Sequence, residues 1–472
     1  MTLATTRATD ERLGPAERLA LLCDPGSFRA LRSGVTADAP GVKPRAGDGV
    51  LAGAGRVGGR PIFCYAEDPS FMGGSLGEAH ANSIVRALEL ARRSGRPAIG
   101  LVESAGARLQ EGHAALGGYG RIFKAIVDLS RVAPQITIVT GVSAGGGAYA
   151  PALTDFVVMT EAARMFLTGP RVVREALGEA VSMEELGGPH VHGRNGVCEL
   201  VAGSDAEAAQ RARALLALLP DRVGERPPEG PPLDPVSGDP AAPVPDDPRR
   251  VYDVRDVVER IIDGGELLEL GPRWARNMVT GLARIDGRAV GVIANQPHHL
   301  GGVIDAAAAE KGALFIDRCE RFRLPLVVFV DTPGFMPGQR QEATGVIRHG
   351  ASLLRAFAAA TVPRVTVVLR KAYGGAVITM NSKDLGSDLV LAWPSAEIGI
   401  MAANQAVGIV HRRRLEADGG DPAVRADLAA AYTEEHLGAG AAAADGFVDE
   451  MIDPAETRPR LAWALGSLER DR

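Results

Sequence analysis

The chain has 472 residues, of which 46% are hydrophobic and 23% charged, with a formal net charge of −6. This length and composition predict a globular protein of two domains, and the mild negative charge argues against a nucleic-acid-binding protein, which usually carries a basic stripe. No apolar run approaches the roughly 18 residues of a membrane helix, and the four cysteines are too far apart in sequence for a CxxC metal pair. We therefore expect a cytoplasmic protein without a secretory signal, a membrane segment or a metal site.

The first half of the chain reads as strand, helix, strand. An apolar run within residues 96–112 ends at Glu103 and is followed by Gly106. An Ala-rich stretch over about 115–131 predicts a helix, and the β-branched segment after it predicts a second strand. That strand runs through Ser143 into three consecutive glycines at 145–147. Because glycine weakens a helix or strand by roughly 0.5–1 kcal/mol, three of them here require an explanation.

The middle of the chain, residues 223–250, is dense in Pro, Gly and Asp and predicts a linker between domains at 1–222 and 251–472. The second domain repeats the first. An apolar run within 324–338 ends at Asp331 and Gly334, a helix is predicted over about 343–360, and a β-branched strand then runs into Gly374 and Gly375.

The spacing of the glycines indicates a duplicated unit. Gly106 and Gly145 are 39 residues apart, and Gly334 and Gly374 are 40 residues apart. Strands that alternate with helices imply an α/β fold with parallel strands and crossover helices.

Two conventional motifs fit the glycines poorly. The sequence GVSAG matches the G-x-S-x-G nucleophile elbow, with Ser143 as nucleophile and His190 or His192 as candidate bases, but the second copy has Ala372 in place of the serine. The sequence DTPGF is similar to a GTPase switch, but no lysine follows a glycine as a phosphate loop requires.

A third interpretation is a pair of oxyanion holes. Glycine lets backbone N–H groups approach a ligand, and at a helix N-terminus these groups are unpaired and favour negative charge. Two copies provide for two anions, as in the transfer of a group between two carbonyl compounds, each enolate-like in turn. Close packing of helix on strand is the alternative.

Over nearly its whole length the chain resembles the carboxyltransferase (β) subunit of biotin-dependent acyl-CoA carboxylases, of the propionyl-CoA and acetyl-CoA carboxylase type. The motifs that carry the resemblance keep the family's order and spacing. They include FMGGSLGEAHA (71–81), GARLQEG (106–112), AGGGAYAPALTDFV (144–157), NMVTGLARIDGR (277–288), PGFMPGQRQEATGVIRHGA (333–351) and VTVVLRKAYGGA (365–376).

The resemblance implies two tandem crotonase-like domains, each a βα superhelix, in a homohexamer. The N-terminal domain would bind the acyl-CoA and the C-terminal domain the carboxybiotin. The activity implied is transfer of a carboxyl group from carboxybiotin to the α carbon of a short-chain acyl-CoA, giving malonyl-CoA or an alkylmalonyl-CoA. Two backbone oxyanion holes would stabilise the biotin and acyl-CoA enolates.

Motif position then implies the residues of the two holes. The backbone donors are Gly145, Gly146, Gly375 and Ala376. The residues expected to support them are Ala105, Gly106, Gly334 and Phe335. In the family the position of Ile378 influences acyl chain length: propionyl-preferring members carry Asp there, and Ile accompanies acceptance of acetyl-CoA. The alternative for Ile378 is a simple packing residue, and for Glu103 and Asp331 an ion pair or N-cap that fixes a loop.

No lysine is flanked by methionine and no ATP-binding loop is present, so biotin and ATP chemistry are expected on separate biotin carboxylase and carrier partners, often one α chain. Two alternatives remain open at this stage. One is a malonyl- or methylmalonyl-CoA decarboxylase or a transcarboxylase subunit. The other is a degenerate CoA-binding subunit, because Ala402, Asn404 and Gln405 depart from the family's pattern within 401–420.

Overall fold

The computed structural model describes residues 12–417, 419 and 421–469. They form two compact units, which divide between Leu216 and Ala217. Each unit has one mostly parallel β-sheet with helices packed on it, which confirms the predicted α/β class.

The first unit contains one eight-stranded sheet. Its strands are β1 (Arg29–Leu31), β2 (Val50–Val57), β3 (Arg60–Glu67), β4 (Ala98–Ser104), β5 (Gln135–Ala144), β6 (Phe156–Thr160), β7 (Arg164–Phe166) and β8 (Leu200–Ala202). They lie in the order β1-β2-β3-β4-β5-β6-β8, and β7 pairs with the end of β5. An antiparallel ribbon of β1 to β3 leads into parallel strands from β3 onward. Every residue of β4 is buried, as expected for a parallel strand covered on both faces.

Helices on both sides of this sheet complete the first unit. They are α1 (Pro15–Leu22), α2 (Glu78–Ser94), α3 (His113–Ser130), α4 (Gly146–Ala152), α5 (Pro170–Leu177), α6 (Met183–Gly187), α7 (Pro189–Asn195) and α8 (Asp205–Leu218). The apolar faces of α2 and α3 pack together in the core, where Ile84, Leu88, Ile122 and Ile126 are buried.

The second unit repeats this sheet. Its strands are β9 (Leu268–Glu269), β10 (Met278–Ile285), β11 (Arg288–Asn295), β12 (Leu326–Thr332), β13 (Arg364–Tyr373), β14 (Leu389–Ala392), β15 (Glu397–Gly399) and β16 (Glu450–Met451). The order is β9-β10-β11-β12-β13-β14-β16, and β15 pairs with the end of β13 as β7 does with β5. The predicted internal repeat is therefore visible in the topology of the two sheets.

The helices of the second unit are more numerous toward its C-terminus. They are α9 (Val254–Val258), α10 (Ala306–Arg321), α11 (Gln339–Ala343), α12 (Val346–Ala359), α13 (Gly375–Thr379), α14 (Ala403–Val410), α15 (Arg412–Ala417), α16 (Pro422–Tyr432), α17 (Ala439–Ala444) and α18 (Thr457–Ser467). The helices predicted over about 115–131 and 343–360 correspond to α3 and α12.

The Pro-rich segment 223–250 has no helix or strand, but it is packed onto the second unit. The Gly230 amide donates to the Gly287 carbonyl (2.9 Å), and the Val236 amide donates to the Glu259 carbonyl (3.1 Å). Its composition indicates a linker, and these hydrogen bonds show that its backbone is held by the domain that follows.

Two features of the described residues bear on function. None of their helices is long and apolar enough to cross a membrane. No group of three or more His, Cys, Asp or Glu side chains among them is arranged to hold a metal ion.

Candidate active site: two strand–glycine–helix turns

Each unit has a sharp turn where a central parallel strand gives way to a short helix. In the first unit β5 ends at Ala144, Gly145 adopts φ 60° and ψ −123°, and α4 follows at once. In the second unit β13 ends at Tyr373, Gly374 adopts φ 63° and ψ −148°, and α13 follows. Residues with a side chain rarely adopt such positive φ angles, so the turn itself requires glycine at these two positions.

The amide of this first glycine stabilises the turn. The Gly145 N–H donates to the Phe166 carbonyl at the end of β7 (3.1 Å), and the Gly374 N–H donates to the Gly399 carbonyl at the end of β15 (2.9 Å). Both hydrogen bonds extend the strand pairing by one residue. This arrangement differs from the sequence-based expectation, which placed Gly145 among the donors of a hole.

The next two amides in each unit begin the short helix. They belong to Gly146 and Gly147 in α4, and to Gly375 and Ala376 in α13. Within the described part of the chain these amides donate to no backbone carbonyl, as is usual for the first residues of a helix. The structure thus pairs Gly146 with Gly375 and Gly147 with Ala376. The Gly147 N–H hydrogen-bonds the Tyr119 hydroxyl, so the first-unit counterpart of the Ala376 amide is already engaged.

A second loop lies beside each turn. A Cβ built on Gly106 would lie 3.5 Å from the Ala144 carbonyl oxygen, and one built on Gly334 would lie 3.9 Å from that of Tyr373. Both glycines have positive φ, 101° and 134°. The loop that follows β4 or β12 therefore closes against the glycine turn that follows the neighbouring strand, as expected for adjacent carboxyl ends of parallel strands.

The amides of these loops are partly committed to fixing the loops themselves. The Ala105 N–H donates to the Gly73 carbonyl (3.1 Å), and the Gly106 N–H lies 3.3 Å from the Ser104 hydroxyl. The Gly334 N–H makes the matching contact with the Thr332 hydroxyl (3.3 Å). Phe335 forms an isolated parallel bridge with Ile304, as Ala107 does with Leu76, so the repeat adds Ala107 to the candidates.

Buried ion pairs lie directly before these loops. The Arg18 guanidinium donates to Glu103 at the end of β4 (2.9 Å), and the Arg370 guanidinium donates to Asp331 at the end of β12 (3.0 Å). Burial raises the pKa of Asp331, and the neighbouring Arg370 opposes that shift. The interpretation of both carboxylates as members of ion pairs is therefore confirmed.

A cavity of about 600 Å³ opens in the second unit in front of Gly374 and Gly375. Lys371 and Tyr373 line it from β13, and burial lowers the pKa of Lys371. The Tyr373 hydroxyl donates to Glu397, also in the cavity wall, and burial together with this carboxylate raises the pKa of Tyr373. Residues 401–405 also line the cavity, and they belong to the segment in which the sequence departs from the family's pattern.

The geometry does not support the nucleophile elbow. Ser143 is fully buried within β5, and its hydroxyl donates to the Gly147 carbonyl (2.8 Å) rather than projecting at the turn. The His192 ring nitrogen lies 2.6 Å from the Met165 carbonyl oxygen. Ile378, by contrast, is half-exposed on α13, at the position that Tyr149 occupies on α4.

Comparisons with known proteins show the family of the chain. The carboxyl transferase domain family matches residues 9–472. The chain is 44% identical over 458 residues to the methylmalonyl-CoA carboxyltransferase 12S subunit of Propionibacterium freudenreichii subsp. shermanii, covering 95% of this chain and 87% of that protein. It is 45% identical over 431 residues to the propionyl-CoA carboxylase carboxyltransferase subunit of Haloferax mediterranei, covering 90% of this chain and 84% of that one.

A solved structure extends the comparison to three dimensions. The crystal structure of a transcarboxylase 12S hexamer, with methylmalonyl-CoA and methylmalonic acid bound, superimposes with a TM-score of 0.93. Its sequence identity is 42%, and the match covers 97% of this chain and 90% of that one. The expectation of two tandem crotonase-like domains is confirmed by this match.

Proposed function

The chain belongs to the carboxyl transferase domain family, as a carboxyltransferase subunit of the biotin-dependent acyl-CoA carboxylase type, and we propose a specific reaction for it. A carboxyl group moves from carboxybiotin on a separate carrier protein to the α carbon of a short-chain acyl-CoA. The observation that carries the proposal is the repeated turn, which in each unit places the first amide of a helix beside a loop that closes on it.

The two turns would act as the two oxyanion holes. In the first unit we assign the donor to Gly146, with the loop at Ala105 and Gly106 closing the hole, since the Gly147 amide is already bonded to the Tyr119 hydroxyl. The amide of Gly145 is already bonded to Phe166, so Gly145 shapes the turn. One oxyanion donor is typically worth about 2.7–4 kcal/mol in a transition state, so even a single free amide is a substantial contribution.

In the second unit we assign the donors to Gly375 and Ala376, closed by the loop at Gly334 and Phe335. The cavity in front of them has room for a compact polar ring system, since its volume is about 600 Å³. Its polar side chains, Lys371, Tyr373 and Glu397, suit the carboxylate and ureido groups of carboxybiotin. In the transfer the thioester loses its α-proton to the donor's ring nitrogen, and its α carbon bonds to the released CO₂.

The proposal extends to substrate, partners and assembly. The relatives named for propionyl-CoA and methylmalonyl-CoA favour that pair as the substrates of this chain. A biotin carboxylase and a biotinylated carrier would be separate partners, and a homohexamer is proposed because the solved relative is described as one. The cysteines are free and buried, which suits a reducing compartment such as the cytoplasm. The domain bounds 1–222, 223–250 and 251–472 remain part of this proposal.

Carboxylation by the purified chain tests the proposal. With a working α partner, ATP and ¹⁴C-bicarbonate, we expect label in propionyl-CoA faster than in acetyl-CoA or butyryl-CoA. The Ile378→Asp variant should lower the acetyl-CoA rate by roughly tenfold relative to the propionyl-CoA rate, if a carboxylate at that position disfavours the smaller acyl group by about 1.4 kcal/mol. No label in any thioester, with an α partner shown to carboxylate biotin, would contradict the carboxylase function.

A transcarboxylase or decarboxylase is the second candidate, favoured by the close match to the 12S subunit. The same two holes would serve it, because the shared step is transfer between a malonyl-type thioester and biotin. Transfer from methylmalonyl-CoA to free biotin without bicarbonate incorporation would favour this candidate. Neither activity, with an intact fold, would favour a degenerate subunit.

A further inference from the structure

The strands that lead into both holes contain the same irregularity. Along β4 and β5, Val102 pairs with Val139 but Ser104 pairs with Ser143, so between these pairs one residue on β4 faces three on β5. Along β12 and β13, Val330 pairs with Val368 but Thr332 pairs with Ala372, which is the same shift. Such bulges redirect a strand and are common beside active sites.

An acidic residue occupies the short side of each bulge. It is Glu103 in the first unit and Asp331 in the second. The Asp331 carboxylate accepts from the Lys371 backbone amide (3.3 Å) and from the Arg370 Nε (3.0 Å) on the facing strand. The carboxylate thus replaces the strand pairing that the bulge removes, three residues before Gly334.

Glu103 reaches the same arrangement by another route. Gly141 of β5 corresponds to Arg370 of β13, since each is the seventh residue of its strand, counted from Gln135 and Arg364. A Cβ on Gly141 would lie 2.1 Å from Glu103 Oε1, so the missing side chain leaves space for the carboxylate. Its arginine comes instead from α1, where Arg18 donates to Glu103 (2.9 Å) and to Asp205 (2.9 Å).

Both pairs are deeply buried. The side chains of Arg18 and Glu103 are 2% and 3% exposed, and those of Arg370 and Asp331 are 7% and 1% exposed. An unpaired carboxylate at such a place carries a large desolvation cost and repels a nearby anion. In the first unit Arg12 also pairs with Glu103, so the second unit holds the simpler pair. That both units keep an arginine against this carboxylate, drawn from different elements, indicates a requirement of the adjoining site.

We propose that Arg18 with Glu103, and Arg370 with Asp331, are positioning pairs of the two oxyanion holes. The carboxylate holds the bulge that directs the loop toward the glycine turn, and the arginine cancels its negative charge so that the hole can accept an anion. This inference rests on the proposed function and assigns to it four residues that do not touch the substrates.

Removing one member of a pair leaves the charge of the other, and the sign of that remaining charge provides the test. Arg370→Met leaves an unpaired carboxylate near the second hole, and Asp331→Asn breaks the same pair but leaves a cation. With full-length protein, methylmalonyl-CoA and free biotin, we expect kcat to fall at least tenfold more in Arg370→Met than in Asp331→Asn, with both KM values changing by less than threefold. The double variant should recover at least fivefold in kcat over Arg370→Met, and Arg370→Lys should retain more activity than Arg370→Met. In Arg18→Met the Arg12 guanidinium still pairs with Glu103, so the asymmetry between Arg18→Met and Glu103→Gln should be smaller than in the second unit.

Equal losses in Arg370→Met and Asp331→Asn, or a double variant no better than Arg370→Met, would overturn the inference and leave the pairs with a purely structural role. Melting temperatures of all variants accompany the kinetics, and if Arg370→Met does not fold, the comparison of Arg370→Lys with Asp331→Asn decides instead.

Absence of transfer by the wild type would contradict the proposed function and not this inference. In that case amide hydrogen exchange at 332–335 decides it: faster exchange in both Arg370→Met and Asp331→Asn supports the positioning role, and unchanged exchange overturns it.

Discussion

Single residues act in the proposed site mainly through their backbone, so a substitution affects activity by moving an amide. Gly146 is the most sensitive position, because a Cβ there would lie 2.6 Å from Cγ of the Tyr119 ring, which is buried. We expect Gly146→Ala to displace α4 and lower kcat for transfer from methylmalonyl-CoA to biotin by about 100-fold, the typical effect of losing one oxyanion donor. Steady-state kinetics on the purified variant measures this.

Gly120→Ala is the matched control. It lies next to Tyr119 on α3, and a Cβ there meets no atom within 4 Å. Its rate should equal that of the wild type, and its stability should rise by about 0.5–1 kcal/mol through the helix preference of alanine. A Gly146→Ala enzyme with normal kcat would contradict the assignment of the first hole.

Lys311 is a buried cation outside the site. Its ammonium donates to three backbone carbonyls, those of Gly271 (3.0 Å), Trp274 (2.9 Å) and Met278 (2.7 Å). Burial lowers the pKa of Lys311 to about 8 from its ordinary 10.5. The cation is therefore tolerated at neutral pH only because these three acceptors replace its water.

Because of this depressed pKa, we expect the free energy of unfolding to depend on pH. Between about pH 8 and 10.5 the unfolded chain binds more protons at Lys311 than the folded chain does, so the free energy of unfolding rises with pH through this window. The gain approaches about 3 kcal/mol at its upper end and is lost again as pH falls through 8. Urea unfolding of wild type and Lys311→Met at pH 7 and pH 10 measures this. The free energy of unfolding of the wild type minus that of Lys311→Met should be larger at pH 10 than at pH 7. The exposed Lys124→Met should follow the wild type.

At the scale of elements, the sequence predicted the order of strands, helices and glycines, because burial and backbone propensity are local properties. It did not predict which amides stay free. The Gly145 amide is bonded by Phe166, which lies 21 residues further on, and only the pairing of β7 with β5 brings the two together. The bulge at Glu103 is likewise a matter of register between two strands, which no spacing within one strand reveals.

The Pro-rich segment shows the same limit, since its composition alone does not show that it is anchored. Arg458 on α18 donates to the carbonyls of Leu233 (2.9 Å) and Ile261 (2.7 Å) and pairs with Asp263 (2.7 Å). We expect thermolysin to spare residues 228–240 in the wild type and to cut them at least fivefold faster in Arg458→Met, since local opening governs such cleavage. Mass spectrometry of the early fragments measures this, with Arg460→Met as the control. Equal cleavage of all three proteins would show that Arg458 does not anchor the segment.

For the whole molecule, the two units keep one topology and one turn while their side chains have diverged. The first turn is followed by Tyr149 and the second by Ile378, and Lys371 in the second cavity corresponds to Val142 in the first. Backbone geometry is thus the shared feature, and in the proposed function the side chains would distinguish the acyl-CoA site from the biotin site. That division suits a reaction in which two different carbonyl compounds carry the same charge in turn.

The residue that follows β7 or β15 is apolar and exposed in both units. Leu167 is 54% exposed and Ile400 is 78% exposed, each beside its unit's turn. Single exposed apolar side chains are common on protein surfaces, but these two occupy matching positions beside the two turns, so they are the positions at which to test coverage by another subunit. If the chain forms the proposed hexamer, its mass by light scattering should be about six times 49.3 kDa. Leu167→Asp and Ile400→Asp should each shift it to smaller species and lower transfer at least tenfold. The reason is that burying an unpaired carboxylate at an interface is costly. Val127→Asp, at a 41% exposed site on α3, should remain hexameric and active. Variants at 167 and 400 that stay hexameric would instead leave these side chains free to contact substrate, and their KM values for methylmalonyl-CoA and biotin would then separate the two sites.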